Sequence, residues 1–351
     1  MTKFFSGTGT FVCVVSWVGL LGLSCATSGV PLDELSDQPI ALVYWDEATS
    51  RKRAESQRSE REAGMSRPGR RGVAELSDVV GLMGGGASDD ALSEVNTQGR
   101  IVLLNPRTLE ITPLAAAPRN ARPLAWSNGR EKLLYNSPHG DGGIPQLYEF
   151  HFGRGEVRKL TSGPRYHLEA DYAPEEKIIY NWIDVRPSSR GSGLAVRSVK
   201  GGTPVPVTVN QLPSGPRWSP AGDVIVYFRA DDRGRRRDES KIMVQKPDLR
   251  AKPLIVGRGR EPDFFPDGDW IVYASQGASG WRLSRVRPDG SGRSLLGKSH
   301  LNARWPTVSP DGRHVAYISN ADGMDRLYVR RFDGTGDRIL LEAGSVAFPV
   351  W

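Results

Sequence analysis

Short apolar runs recur along the chain, and five of them end in a tyrosine. Successive tyrosines are 45, 47, 46 and 44 residues apart, at Tyr135, Tyr180, Tyr227, Tyr273 and Tyr317. The runs are rich in β-branched and aromatic residues, and each follows a turn phrase such as FFPDG at 264–268. The pattern predicts a strand that follows a tight turn, repeated five times.

The chemistry of the turn phrase supports this interpretation. Pro266 suits the first corner of a turn, and the Asp267 carboxylate can accept hydrogen bonds from turn amides. Gly268 can take a positive φ without steric cost. We therefore expect a tight corner before the strand that holds Tyr273.

Two further strand-like runs flank a DG corner downstream of the tyrosine, most clearly at 280–296 and 325–341. A period of about 40–50 residues with four short strands per unit is typical of a β-propeller. A β-sandwich with fortuitous spacing is the alternative, and five units in register argue against it. The predicted fold class is all-β.

The two ends of the chain supply a sixth blade. Residues 347–351, AFPVW, match the first strand of a unit, and 39–45, PIALVYW, match the second, with Tyr44 in the tyrosine position. Residues 100–115 match the third and fourth strands. Pairing the C-terminal strand with the N-terminal strands would close a six-bladed ring and remove its open edges.

Charge narrows the function classes. The 351 residues carry a formal net charge of +7, but 40 acidic residues are interleaved with 47 basic ones. A nucleic-acid-binding protein usually shows a basic stripe with aromatic residues, and none is present here. We expect no nucleic-acid partner.

The N-terminus has the form of an export signal. A lysine precedes a 13-residue apolar run, FVCVVSWVGLLGL, which is short for a membrane-spanning helix. We predict a signal peptide at 1–24 and a lipidated Cys25 with a polar tether at 25–38. GLSC at 22–25 resembles a bacterial lipobox, although Gly22 replaces the usual leucine. An ordinary signal peptide with an incidental cysteine is the alternative.

The propeller is predicted to span 39–351, with a flexible insertion at 46–99. Its first part is charged and lacks an apolar face, which fits disorder or a solvated helix. Residues 73–83 have apolar positions near helical spacing and could form one amphipathic helix. The insertion is either a partner-binding arm, which could be the working element of the protein, or a simple loop excursion.

The repeat resembles the TolB-type six-bladed propeller, also called the WD40-like repeat. Residues 216–232 and 307–323 carry the resemblance best. It implies a bacterial cell-envelope protein that binds a partner. The sequence departs from TolB because no segment before the propeller is long enough for the α/β domain of TolB.

No set of residues predicts catalysis, a metal site or a cofactor. The five histidines, His139, His151, His167, His300 and His314, lack metal-binding spacing. The extended loop at 230–241 concentrates arginines that could bind an acidic partner: Arg233, Arg235, Arg236 and Arg237. Neighbouring aspartates and a glutamate could instead neutralise the loop internally.

The predicted function is that of a non-enzymatic, monomeric envelope protein. It would be lipid-anchored at the periplasmic face of the outer membrane, or otherwise periplasmic or secreted. It would bind a protein or peptide through propeller loops or the channel mouth. The alternative is a propeller hydrolase or lyase that acts on a glycan or small ester. Convergence of three or four His, Asp or Glu side chains on the channel axis, with separations like those of metal ligands, would favour the enzyme.

Overall fold

The computed structural model describes most of the propeller. The described residues are 29–52, 55, 99–139, 141–185, 191–229, 240–277, 280–297, 302–321 and 323–351. In these residues, twenty-five strands form six antiparallel sheets, which are the blades of a six-bladed β-propeller. The predicted fold class and blade number are confirmed.

The first blade is composite, and the next two are continuous in sequence. Blade 1 holds β1 (Ile40–Trp45), β2 (Arg100–Leu104) and β3 (Ile111–Pro113). Blade 2 holds β4 (Arg122–Trp126), β5 (Lys132–Ser137), β6 (Gln146–His151) and β7 (Glu156–Lys159). Blade 3 holds β8 (Arg165–Tyr166), β9 (Ala170–Ala173), β10 (Lys177–Asp184), β11 (Ser192–Ser198) and β12 (Gly201–Val209).

The remaining blades have four strands each. Blade 4 holds β13 (Pro213–Trp218), β14 (Ile225–Arg229), β15 (Lys241–Gln245) and β16 (Leu254–Arg258). Blade 5 holds β17 (Arg260–Phe264), β18 (Ile271–Gly277), β19 (Gly280–Val286) and β20 (Ser294–Leu295). Blade 6 holds β21 (Arg304–Val308), β22 (His314–Ser319), β23 (Arg326–Arg331) and β24 (Arg338–Leu341). The last strand, β25 (Ser345–Val350), returns to blade 1.

Helical structure is scarce in the described residues. Two short 3-10 segments lie at Leu32–Glu34 and Asp141–Gly143. Residues 47–52, at the start of the insertion, are helical. The Asp46 carboxylate caps this helix by accepting a 2.8 Å hydrogen bond from the Thr49 N–H. The rest of the insertion between 56 and 98, including the amphipathic segment at 73–83, lies outside the described residues.

The ring closes through the two ends of the chain. Sheet order in blade 1 is β25-β1-β2-β3, so the innermost strand comes from the C-terminal side. Each innermost strand contacts those of its two neighbours, in the cycle β25, β4, β9, β13, β17, β21 and back to β25. Trp351 secures this junction because its indole N–H donates to the Gln38 carbonyl at 3.0 Å. The predicted closure is confirmed.

The turn phrases form the corners that their composition predicts. Gly268 has φ +77°, and its N–H donates to the Phe265 carbonyl at 2.9 Å. The Asp267 carboxylate accepts the N–H of Asp269 at 2.9 Å. In blade 6, the hydroxyl of Ser309 accepts the N–H of His314, the first residue of β22. The side chains of the turn thus fix where the second strand begins.

The five repeated tyrosines form part of the packed core, with at most 3% of each side chain exposed. The sixth position differs from the prediction. In blade 6, the two neighbours of Tyr317 on β22 pair with Arg304 and Thr307 of the innermost strand. In blade 1, the residue of β1 that is flanked in the same way by pairs with the innermost strand is Leu42, not Tyr44. Leu42 is fully buried, whereas Tyr44 is only half-buried. An apolar leucine fills the same core position, so the aromatic marker misaligned this strand.

Candidate functional site

The residues predicted for lipid attachment and partner binding all fall outside the described part of the chain. Cys25 lies in the segment 1–28, and the four loop arginines, Arg233, Arg235, Arg236 and Arg237, lie in 230–239. The described flanks still show where the loop belongs. Arg229 pairs with Lys241, and also with Pro213, the first residue of β13. The loop is therefore attached at the face where the innermost strands begin.

The insertion is attached at the same face. Tyr44 pairs with Arg100, and Trp45 pairs with Ser345, the first residue of β25. The loop at 230–241 and the insertion at 46–99 therefore both connect a second strand to a third strand, on the side of the ring where the innermost strands start.

A central channel runs between the innermost strands, and bulges in these strands shape its wall. Register shifts interrupt the pairing of β4, β13, β17, β21 and β25 with their second strands. At the equivalent bulge position, four residues adopt a positive φ of 47–57°: Gly215, Glu261, Trp305 and Phe348. Bulges bend a strand and re-aim its side chains. Here they turn side chains of the innermost strands towards the channel.

Blade 3 forms its part of the wall differently. Its innermost strand is broken into β8 and β9, which both pair with β10. The Asn181 side chain fills the break, because its oxygen accepts the N–H groups of Leu168 and Glu169 at 3.0 and 2.9 Å. A side-chain amide thus satisfies the backbone groups that a continuous ladder would have paired. The break leaves Glu169 in the channel wall.

We call the end of the channel where the innermost strands begin the narrow end. Its cavity measures about 100 Å³, and each blade contributes to its lining: Phe348, Arg122, Glu169, Gly215, Glu261 and Trp305 for blades 1 to 6. Arg260, Arg304 and Trp281 lie in the same wall. The narrow end thus combines arginines, glutamates and aromatic rings.

The two glutamates of the narrow end connect neighbouring blades. Glu169 accepts the Ser214 hydroxyl at 2.6 Å and the Gly215 N–H at 2.5 Å. Glu261 accepts the Trp305 N–H at 2.6 Å. Burial raises the pKa of Glu261, while Arg304 and that N–H act in the opposite direction. These carboxylates hold the backbone of the next blade at the bulge.

Arg122, a cation of the narrow end, packs against an aromatic ring. Its guanidinium lies 3.6 Å from the centre of the Phe348 ring. The buried Nε has no hydrogen-bond partner among the described residues. Burial lowers the pKa of Arg122, and Glu169 and Glu261 partly offset this effect. The arginine is therefore oriented by an aromatic ring in a poorly solvated wall.

The opposite, wide end is formed by the turns between first and second strands. Its cavity measures about 350 Å³ and is lined by residues of every blade, among them Trp351, Trp126, Pro174, Pro220, Pro266 and Pro310. Leu124, Arg217 and Val350 line both cavities, so the two ends adjoin. The wide end offers prolines and aromatic rings against which a peptide can pack.

A second carboxylate set links blades at the wide end. Asp171 accepts the Trp218 N–H at 2.8 Å, and Asp263 accepts the Val308 N–H at 2.9 Å. Arg217 lies 3.5 Å from Asp263, measured from Nε to Oδ1. Burial raises the pKa of Asp171 to about 6, although Arg217 and the Trp218 N–H pull it down. Each aspartate therefore holds the adjacent blade, as the glutamates do.

The histidines do not assemble a site among the described residues. His314 is buried beside Trp351, with 6.4 Å between ring centres, and His167 packs against Tyr180. Within the same residues, no group of three His, Cys, Asp or Glu side chains is arranged to hold a metal ion. Nor does any described helix combine the length and apolar character needed to cross a membrane. His300 lies outside the described residues.

Sequence reasoning missed the charged channel wall. Arg122, Arg260 and Arg304 are the first residues of β4, β17 and β21, and each stands just upstream of a recognised turn phrase. A usable signal was present, because RPLAW, REPDF and RWPTV each place an arginine near a proline in the same unit. The equivalent residues of blades 3 and 4 are Leu168 and Ser214, so the arginine is not part of the common repeat.

Comparison with known proteins agrees with this architecture. No family model matches the chain. The uncharacterized protein Atu1656 of Agrobacterium fabrum is 32% identical over 267 residues, which cover 72% of this chain and 87% of that protein. The Tol-Pal system protein TolB of Francisella tularensis subsp. holarctica is 28% identical over 60% of this chain. The match spans 48% of that TolB, about half its length.

A solved structure supports the same class. The crystal structure of TolB from Acinetobacter baumannii superposes with a TM-score of 0.63 at 14% sequence identity, and covers 90% of this chain and 67% of that one. At this identity the superposition supports the fold alone. Fold and sequence together define a TolB-like six-bladed β-propeller. The chain belongs to this TolB-like family, and it matches Atu1656 over most of the length of both chains.

Proposed function

We propose that the chain is a cell-envelope protein that binds a protein or peptide partner at its central channel, without a covalent step. The observation that carries the proposal is the channel itself. All six blades line both of its ends, and its wall combines arginines, prolines and aromatic rings. Such a mixture, apolar with a few oriented polar groups, is typical of a binding cleft.

The envelope assignment rests on family and on the N-terminal sequence. TolB relatives are named as proteins of the Tol-Pal system, and the chain shares their propeller. The signal-like run before Cys25 fits export, and lipidation of Cys25 would hold the propeller at the outer membrane. Replacing this residue, Cys25→Ser, tests the anchor. We expect loss of labelling by a palmitate analogue and release of the protein from the membrane fraction, and unchanged labelling would contradict it.

The alternative enzyme gains no support from the described residues. The channel carboxylates that could serve as acid and base are each hydrogen-bonded to the backbone of the next blade. These contacts explain their burial through blade packing. A hydrolase or lyase that acts on a glycan or small ester stays a prediction without a supporting observation.

Partner capture tests the proposed function directly. The tagged protein is cross-linked in its native envelope, and co-purifying proteins are identified by mass spectrometry. We expect one envelope protein to be enriched with the wild type and depleted with Trp281→Ala, which alters the channel wall. Trp270→Ala is the control, because Trp270 packs edge-on against Phe332 and lines neither end of the channel. Equal capture by both variants would contradict binding at the channel.

A further inference from the structure

Three arginines converge on the narrow end from equivalent positions. Arg122, Arg260 and Arg304 each begin the innermost strand of their blade, just before the bulge. All three line the cavity of about 100 Å³. Their proximity also appears in the electrostatics, since Glu261 is influenced by Arg260 and Arg304, and Arg122 by Glu261. Repeat symmetry thus places three guanidinium groups around one small space.

Aromatic rings orient these guanidinium groups. Arg122 lies over Phe348 at 3.6 Å, and Arg304 lies over Trp305 at 4.6 Å, measured to the ring centres. Stacking fixes the plane of a guanidinium and leaves its N–H edge available for a forked hydrogen bond. The Nε of Arg122 is buried without a hydrogen-bond partner among the described residues. A buried donor of this kind favours a bound acceptor.

The anions already present do not complete the site. The two glutamates of the narrow end accept backbone N–H groups of the next blade. Arg304 lies 3.9 Å from the Asp325 carboxylate, whereas the buried Nε of Arg122 has no hydrogen-bond partner among the described residues. A carboxylate, with a single negative charge, would meet less repulsion from the two glutamates than a phosphate dianion. The small cavity also suits a group of carboxylate size.

We propose that the narrow end is a carboxylate-binding site, in which Arg122, Arg260 and Arg304 receive one carboxylate of a peptide ligand. The inference rests on the proposed function, because it assumes that the channel binds a peptide. The carboxylate can come from the C-terminus of the peptide or from an acidic side chain. Trp281 and Pro306, in the same wall, supply surface for the residues beside it.

Three short peptides distinguish these sources by isothermal titration calorimetry. They are acetyl-tetra-alanine with a free C-terminus, the same peptide as its amide, and an amidated, acetylated peptide in which one alanine is replaced by glutamate. We expect at least one carboxylate peptide to bind at least about tenfold more tightly than the neutral amide. Preference for the free C-terminus or for glutamate identifies the source of the carboxylate.

Substitution of the arginines locates the site. Arg122→Gln should weaken binding of the preferred carboxylate peptide by roughly 10- to 100-fold and leave the amide unaffected. Arg304→Gln provides a second variant should the first fail to fold. The matched control is Arg285→Gln, because Arg285 also stacks on an aromatic ring, Trp270, at 4.8 Å, but does not line the channel. Circular dichroism confirms that each variant is folded.

The outcomes separate this inference from the proposed function. Equal affinity for all three peptides, or no binding by any of them up to millimolar concentration, would overturn the carboxylate site. Full retention of binding in Arg122→Gln and Arg304→Gln would overturn it too. Partner capture at the channel could still succeed in each of these cases, so the proposed function is judged by that experiment alone.

Discussion

Replacing Trp351 tests how strongly the ring closure stabilises the fold. Only 6% of Trp351 is exposed, and it packs in the cluster that contains Leu35, Ile40 and Leu42. Its indole N–H donates to the Gln38 carbonyl. Its backbone N–H donates to Thr307 at 3.0 Å, a contact that Trp351→Ala would keep. The substitution therefore removes side-chain packing at the junction and spares the backbone bond between blades 6 and 1.

The expected loss follows from burial. Truncating a buried tryptophan to alanine costs about 3–5 kcal/mol, since transfer energy is lost and a cavity remains. Typical domains are stable by about 5–15 kcal/mol, so the loss is a large part of the total. The free energy of unfolding, measured by urea denaturation with two spectroscopic probes, should fall by that amount. The midpoint should shift without a change in slope, because the transition remains cooperative.

The control is Trp270→Ala. Trp270 is half-buried and packs near Phe332, Arg285 and Arg287 on the wall of its blade. Its loss should cost about 1–2 kcal/mol, mainly through cation–π and partial packing terms. A Trp351→Ala variant no less stable than Trp270→Ala would refute the closing role assigned to Trp351.

Three further substitutions test buried titratable groups, and a fourth, at the surface, is a control. Asp337→Asn should lower the free energy of unfolding by about 3–5 kcal/mol, because the fully buried Arg330 is hydrogen-bonded to this carboxylate. Glu34→Gln, at a surface ion pair, should lower it by less than about 1 kcal/mol in the same denaturation assay. Burial raises the pKa of Asp171 from 3.8 to about 6, so its contribution to stability declines as pH rises through that range. Over this range the wild type should lose up to about 3 kcal/mol of unfolding free energy relative to Asp171→Asn. Parallel pH profiles of the two proteins would contradict this. Burial lowers the pKa of His167 from 6.5 to about 4. Acidification through that range should therefore cost the wild type up to about 3 kcal/mol of unfolding free energy relative to His167→Gln. A stability difference between the two proteins that stays constant with pH would refute this prediction.

Much of the fold could be predicted because the repeat is visible in residues that every blade needs. The turn at Pro266–Gly268 and the core tyrosines recur with one period, and a buried strand after a tight corner has few alternatives. Closure of the ring could be predicted because strand-like segments at the two ends of the chain together matched one further blade. The exception at Leu42 has a physical reason, since a core position requires volume and apolarity rather than one residue type.

The channel could not be predicted in the same way. Its wall uses positions at which the blades differ. Ser214 of blade 4 is equivalent to Arg260 and Arg304, so the common repeat does not mark these arginines. The bulges that expose them depend on positive φ at non-glycine residues such as Glu261 and Trp305. Such conformations are rarely readable from sequence. Only the assembled ring brings these side chains together.

Site-specific photo-cross-linking tests the central claim most directly. A photoreactive phenylalanine analogue replaces Trp281, in the wall of the narrow end, or Trp270, which lies outside the channel. The protein is then irradiated in its native envelope. Binding at the channel predicts one discrete adduct from position 281 and none from position 270. No adduct from position 281, or the same adducts from both positions, would contradict it.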